Sequence, residues 1–123
     1  MDKLLSVKTR LQKSGINSEI IEIRTGQYFN PDPHFIDIST LEIHCRDYYE
    51  YTAAEKIISH IKGIKSRIWN YSTKTIHVVT DADFEKSEQA KNTANKFQNA
   101  FWLAIHNGAN QEAAIIAGNS AIA

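Results

Sequence analysis

Ala90, Ala94, Phe97, Phe101 and Ala104 follow one another at steps of four, three, four and three residues. That period lays them on one face of a helix, predicted to run from Asp81 or Asp83 to about His106 and to close at Gly108. The helix leaves directly from "TIHVVT" (Thr75–Thr80), a β-branched run of the buried-strand type. A long helix with one apolar face, launched from the end of a strand, has to lie on a sheet.

The rest of the chain supplies that sheet and its cover. "DKLLSVKTRLQKSG" places Leu4, Val7, Lys8 and Leu11 on one side, with Gly15 just after, as in a short amphipathic helix capped by glycine. In "SEIIEIRT" Ile21 and Ile23 alternate with Glu22 and Arg24, a half-buried strand. "TGQ" and "NPDP" (Asn30 to Pro33) read as turns. "HFIDISTLEIHCRD" carries Ile36 and Ile38 in one phase and Leu41, Ile43 and Cys45 in the other, so a β-bulge or two abutting strands are expected around Ser39-Thr40.

"YTAAEKIISHIKGIKSRIW" is predicted to be a helix from Thr52 to Ile68. Thr52 and Glu55 form its capping box, and Ile57, Ile61, Ile64 and Ile68 form its buried stripe. "NYSTK" is a loop, and "NQEAAIIAGNSAIA" is a short, mostly apolar terminal segment. The expected fold is one α+β domain over residues 1–123. It has a small, mainly antiparallel sheet covered by helices, and a long C-terminal helix followed by a short apolar one.

Composition excludes several classes. Fourteen basic residues balance fourteen acidic ones, so no global field draws the chain to nucleic acid or an anionic membrane. Cys45 is alone, so no internal disulfide forms and a reducing cytosol fits best. The first residues hold no signal-like apolar core, and no run is long enough to span a bilayer. A nucleophile elbow, a phosphate-cradling glycine loop and a zinc-type spacing are all lacking. His34, His44, His60, His77 and His106 fall on different predicted elements, and His44 and His77 face one another only if their strands are neighbours. Cys45 points away from His44, which argues against a Cys–His nucleophile. No cofactor is expected.

Thr80, Asp81 and Asp83 admit two readings. Each residue type is favoured at a helix start, where an oxygen caps a free N–H and negative charge faces the positive end of the dipole. This capping reading is preferred, with no metal. The alternative is a pair of carboxylates at a strand end holding Mg²⁺. "VVTDADFEKSEQA" resembles the strand–DxD–helix element of the Toprim family of topoisomerases, primases and nucleases. The resemblance implies metal-dependent phosphodiester chemistry, with Asp81 and Asp83 as the metal pair. The family's companion glutamate sits beside a glycine, and neither Glu42 nor Glu50 does.

Four surfaces remain. On a helix through Ile68, Lys56, His60, Gly63 and Arg67 converge opposite the isoleucines and suit an acidic protein or anionic ligand. Lys62, Lys65, Arg67 and Lys74 near Trp69 and Tyr71 offer a nucleic-acid surface, a less favoured alternative. Tyr48, Tyr49 and Tyr51 cannot all point inward, so at least one should be exposed. Phe101, Trp102, Leu103 and Ile105 point around the long helix in every direction. They need cover from the terminal segment with Ile115 and Ile116, or from a second copy, and self-association is the expectation. Together these readings describe a small cytosolic binding or inhibitor protein, non-enzymatic and homo-oligomeric. Accessory proteins of phages and mobile elements share that description by analogy.

Overall fold

A computed structural model describes residues 2–70 and 74–123, and the side chains of residues 2 and 67–70 lie outside that description. Along the described residues the order is α1 (Asp2–Lys13), β1 (Asn17–Asn30), β2 (Asp32–His44), α2 (Tyr48–Ser59), β3 (Ile64–Asn70), β4 (Thr75–Thr80), α3 (Asp81–His106) and α4 (Gln111–Ile122). The strands form one antiparallel sheet in the order β1-β2-β4-β3. The fold is therefore α+β, with a long helix followed by a short one, as the periodicity requires. No helix among the described residues is long and apolar enough to cross a membrane.

Packing divides the chain into two compact units, Met1–Ile23 with Ile38–Phe84, and Arg24–Asp37 with Glu85–Ala123. In the first unit, Leu4, Val7 and Leu11 of α1 are fully buried. The helix ends in a Schellman motif: Ile16 N–H donates to Leu11 O at 3.0 Å and Gly15 N–H to Gln12 O at 2.9 Å, with Gly15 at φ +75°. On the sheet, Leu41 opposes Val78 and Ile43 opposes Ile76, and these four join the α1 residues, Ile16, Tyr51, Ala54 and Ile58 in one core. β2 is a single strand, so the abutting-strand option falls away. Its burial nevertheless changes phase, from Ile38 and Thr40 to Leu41 and Ile43.

The predicted helix from Thr52 to Ile68 is corrected at both ends. It starts four residues earlier, at Tyr48, capped by Asp47, whose carboxylate accepts Glu50 N–H at 2.8 Å. Glu50 in turn accepts Arg46 N–H at 2.9 Å. Thr52 donates its hydroxyl hydrogen to Tyr48 O inside the helix instead of capping it. At the other end α2 stops at Ser59, and Gly63 at φ +84° turns the chain into β3. The isoleucine stripe crosses this break: Ile57 and Ile61 serve the helix and its exit, and Ile64 opens the strand, all three packing on the core. Tyr71, in the expected loop, lies outside the described residues.

In the second unit, α3 rests on the far half of β1. The expected turn at Thr25-Gly26-Gln27 is strand interior: a Cβ on Gly26 would stand 2.6 Å from Ala90 Cβ. Glycine is there because a helix backbone comes that close. Thr25 and Ser87 hydroxyls meet at 3.3 Å, and Gln98 donates to Gln27 O at 3.2 Å. Phe97, fully buried, packs on Tyr28 at 4.9 Å and Phe101 at 6.1 Å between ring centres. α4 begins at Asn110, whose side chain accepts Ala113 N–H at 2.8 Å, and buries Ala114 and Gly118.

Candidate functional site

Side chains alternate across a strand, so the residues between the core pairs of β2 and β4 face the other way. Glu42 stands directly opposite His77, and His44 lies two residues further along β2 on the same face. One carboxylate links them: Glu42 Oε1 is 2.9 Å from His44 Nε2, and Glu42 Oε2 is 3.0 Å from His77 Nε2. Glu19, from the neighbouring β1, brings its Oε1 to 3.5 Å from the same His44 nitrogen. Donor atoms of Glu19, Glu42 and His44 all lie within 4.8 Å of one another. Neither carboxylate pairs with a lysine or arginine whose side chain is described. This cluster was not legible from linear spacing, because His44 and His77 come together only through strand order. The signal available was conditional on β2 and β4 being neighbours, and they are.

Cys45, next in the chain, is buried on the core side, away from His44. Burial raises its thiol pKa, and the nearby charges of Glu50 and Asp47 raise it further. It is therefore protonated and inert.

Asp81 and Asp83 sit in the first turn of α3. Thr80 Oγ1 accepts Asp83 N–H at 3.2 Å, and Asp81 N–H donates to Gly63 O at 3.0 Å. Among the described residues no third His, Cys, Asp or Glu joins the pair in a metal-sized cluster. Glu42 is held by the histidines and Glu50 by Arg46.

Lys56, His60, Gly63 and Arg67 do not share a helix face, because they lie on α2, at its C-cap, in the connection and on β3. The Arg67 and Trp69 side chains are outside the described part. The space over Gly63 is filled by Lys3, whose Nζ would be 2.9 Å from a Cβ there. Lys3, Ser6 and Arg10 of α1 instead line a cleft of about 430 Å³ with His60, Ile61 and Lys62. None of these six is acidic, and none of its cations makes an ion pair with a carboxylate among the described residues. Sequence reasoning missed α1's part in this surface, since it shows only when α1 meets the exit of α2.

Tyr48 and Tyr49 are exposed on the first turn of α2, and Tyr51 is buried. At the other end of the chain, Trp102 and Leu103 on α3 remain 63% and 62% exposed, and Ile116 on α4 61%. Phe101, Ile105 and Ile115 are half-buried. The terminal helix covers Phe97 and leaves Trp102 and Leu103 in water. Comparison with known proteins finds no matching family model, no similar curated protein and no similar solved structure. The Toprim-like stretch Val78–Ala90 thus has no family match behind it.

Proposed function

We propose that the protein is a small, non-enzymatic binding or inhibitor protein that receives an acidic partner at the cleft between α1 and the exit of α2. The observation that carries this reading is the lining itself: Lys3, Arg10 and Lys62 with His60, and no carboxylate. Three fixed cations around a concave surface raise the local concentration of anions even on a neutral molecule. The test is fluorescence anisotropy of a labelled glutamate-rich peptide. Binding should weaken with added salt and disappear in the double variant Arg10→Glu, Lys62→Glu. Absence of binding, or binding retained by that variant, refutes the reading. A single buried cysteine suits work in the reducing cytosol.

Self-association is part of the proposal and rests on a separate observation. Three large apolar side chains of α3 and α4 stay more than half exposed, although α4 is already packed on its own helix. Single exposed hydrophobes are ordinary, but a tryptophan beside a leucine on one helix suits an interface core.

A further inference from the structure

We propose that Glu19, Glu42 and His44 form a binding site for a first-row divalent transition cation of the Zn²⁺ type, with His77 positioning the Glu42 carboxylate. The donor set is one imidazole nitrogen and two carboxylate oxygens, which suits zinc and its neighbours better than calcium or magnesium. A tetrahedral ion with bonds of about 2.1 Å needs donor atoms roughly 3.4 Å apart. The two separations at His44 Nε2, 2.9 and 3.5 Å, bracket that value. An ion could enter by small side-chain adjustments, with the backbone unmoved.

The charge balance points the same way. Two carboxylates crowd one histidine nitrogen, and no lysine or arginine whose side chain is described pairs with either; Arg67, opposite His77 in the register of β3 and β4, is not among those side chains. A divalent cation would neutralise both. Glu42 and His44 lie on paired strands whose register is fixed by the core pairs Leu41–Val78 and Ile43–Ile76 on the opposite face. Ligands carried by strands are held more firmly than ligands carried by loops. His77 engages the second oxygen of Glu42, which leaves Oε1 directed toward His44, the outer-shell role that tunes many metal sites. Three protein ligands on a partly exposed face leave at least one coordination position for water or a partner's donor group.

The experiment uses the tag-free full chain. Zn²⁺ affinity is measured against a competing chelating dye, and Co²⁺ is added to read its visible absorption bands. One ion per chain is expected, with Co²⁺ bands of low coordination number. His44→Ala and Glu42→Gln should each weaken Zn²⁺ binding at least about tenfold, and His77→Gln by roughly tenfold to a hundredfold. Asp81→Asn should leave affinity unchanged. Melting curves without metal show that each variant folds, and at a fixed Zn²⁺ concentration wild type and Asp81→Asn should gain more thermal stability than the other variants. No binding to wild type, or binding unaltered by His44→Ala and Glu42→Gln together, overturns the site and leaves a plain hydrogen-bonded cluster.

Discussion

Gly118 and the Phe97 ring meet so closely that a Cβ on the glycine would lie 2.5 Å from Phe97 Cε2. Phe97 is boxed in by Tyr28 and Phe101 and has little room to retreat. Gly118→Ala should therefore destabilise the protein by about 1–3 kcal/mol despite its better helix propensity, measured by urea unfolding. Thr40 presents the opposite case, a fully buried hydroxyl with no hydrogen-bond partner. Thr40→Val keeps the β-branched shape and removes an unsatisfied group, and should raise stability by about 1 kcal/mol. Glu50 supplies a pH-dependent term. Hydrogen bonds from the Arg46 side chain and then its backbone N–H lower the Glu50 carboxyl pKa below its ordinary 4.5. A lowered folded-state pKa gives stability that is present above the unfolded value and is lost as pH falls through the folded one. Glu50→Gln should flatten the acid side of the stability curve below about pH 4.5, followed by thermal melting across pH.

At the scale of elements, α2 separates what a sequence shows from what it hides. Asp47-x-x-Glu50 and Thr52-x-x-Glu55 both fit a capping pattern, and local chemistry alone does not rank them. Burying Tyr51 along with Ala54 and Ile58 decides for the earlier start. Asp47→Ala should cost about 1 kcal/mol, as loss of a cap does, whereas Thr52→Ala should stay within about 0.5 kcal/mol. Equal losses by chemical denaturation would contradict the cap assignment. The isoleucines misled for a related reason. Ile57, Ile61, Ile64 and Ile68 match a helical period, yet β-branched residues serve strands equally well, and short apolar runs do not distinguish the two. Gly63, inside the supposed helix, was the local mark of the break. By contrast α1 and α3 were legible because each combines a helical period with a closing glycine, β4 because its run is β-branched, and α4 because its segment is short and mostly apolar. The metal-type cluster was illegible because three strands build it.

Over the whole molecule, the exposed Trp102, Leu103 and Ile116 predict association. Each large side chain removed from water contributes roughly 1.5–3 kcal/mol, and a two-fold axis counts it twice. Leu103→Glu should yield folded monomers by light scattering, while a wild-type monomer at high protein concentration would end the proposal. Removing α4 is a poor test, since it would also strip the cover from Phe97. The division into two units, each built from separated stretches of chain, also sets a timetable. Within the second unit, hydrogen bonds join residues 62, 71 and 89 positions apart. In the first unit the docking of α1 on β4 is as long-range, but the sheet itself closes shorter loops, with the His77–Glu42 link spanning 35. Closing longer loops costs more entropy before any contact rewards it. During refolding, amides of β1 before Ile23 and of β4 should gain exchange protection ahead of those at Thr25–Asn30, leaving Tyr28 and its partner Phe97 as the last apolar surface to be covered and the most exposed to aggregation.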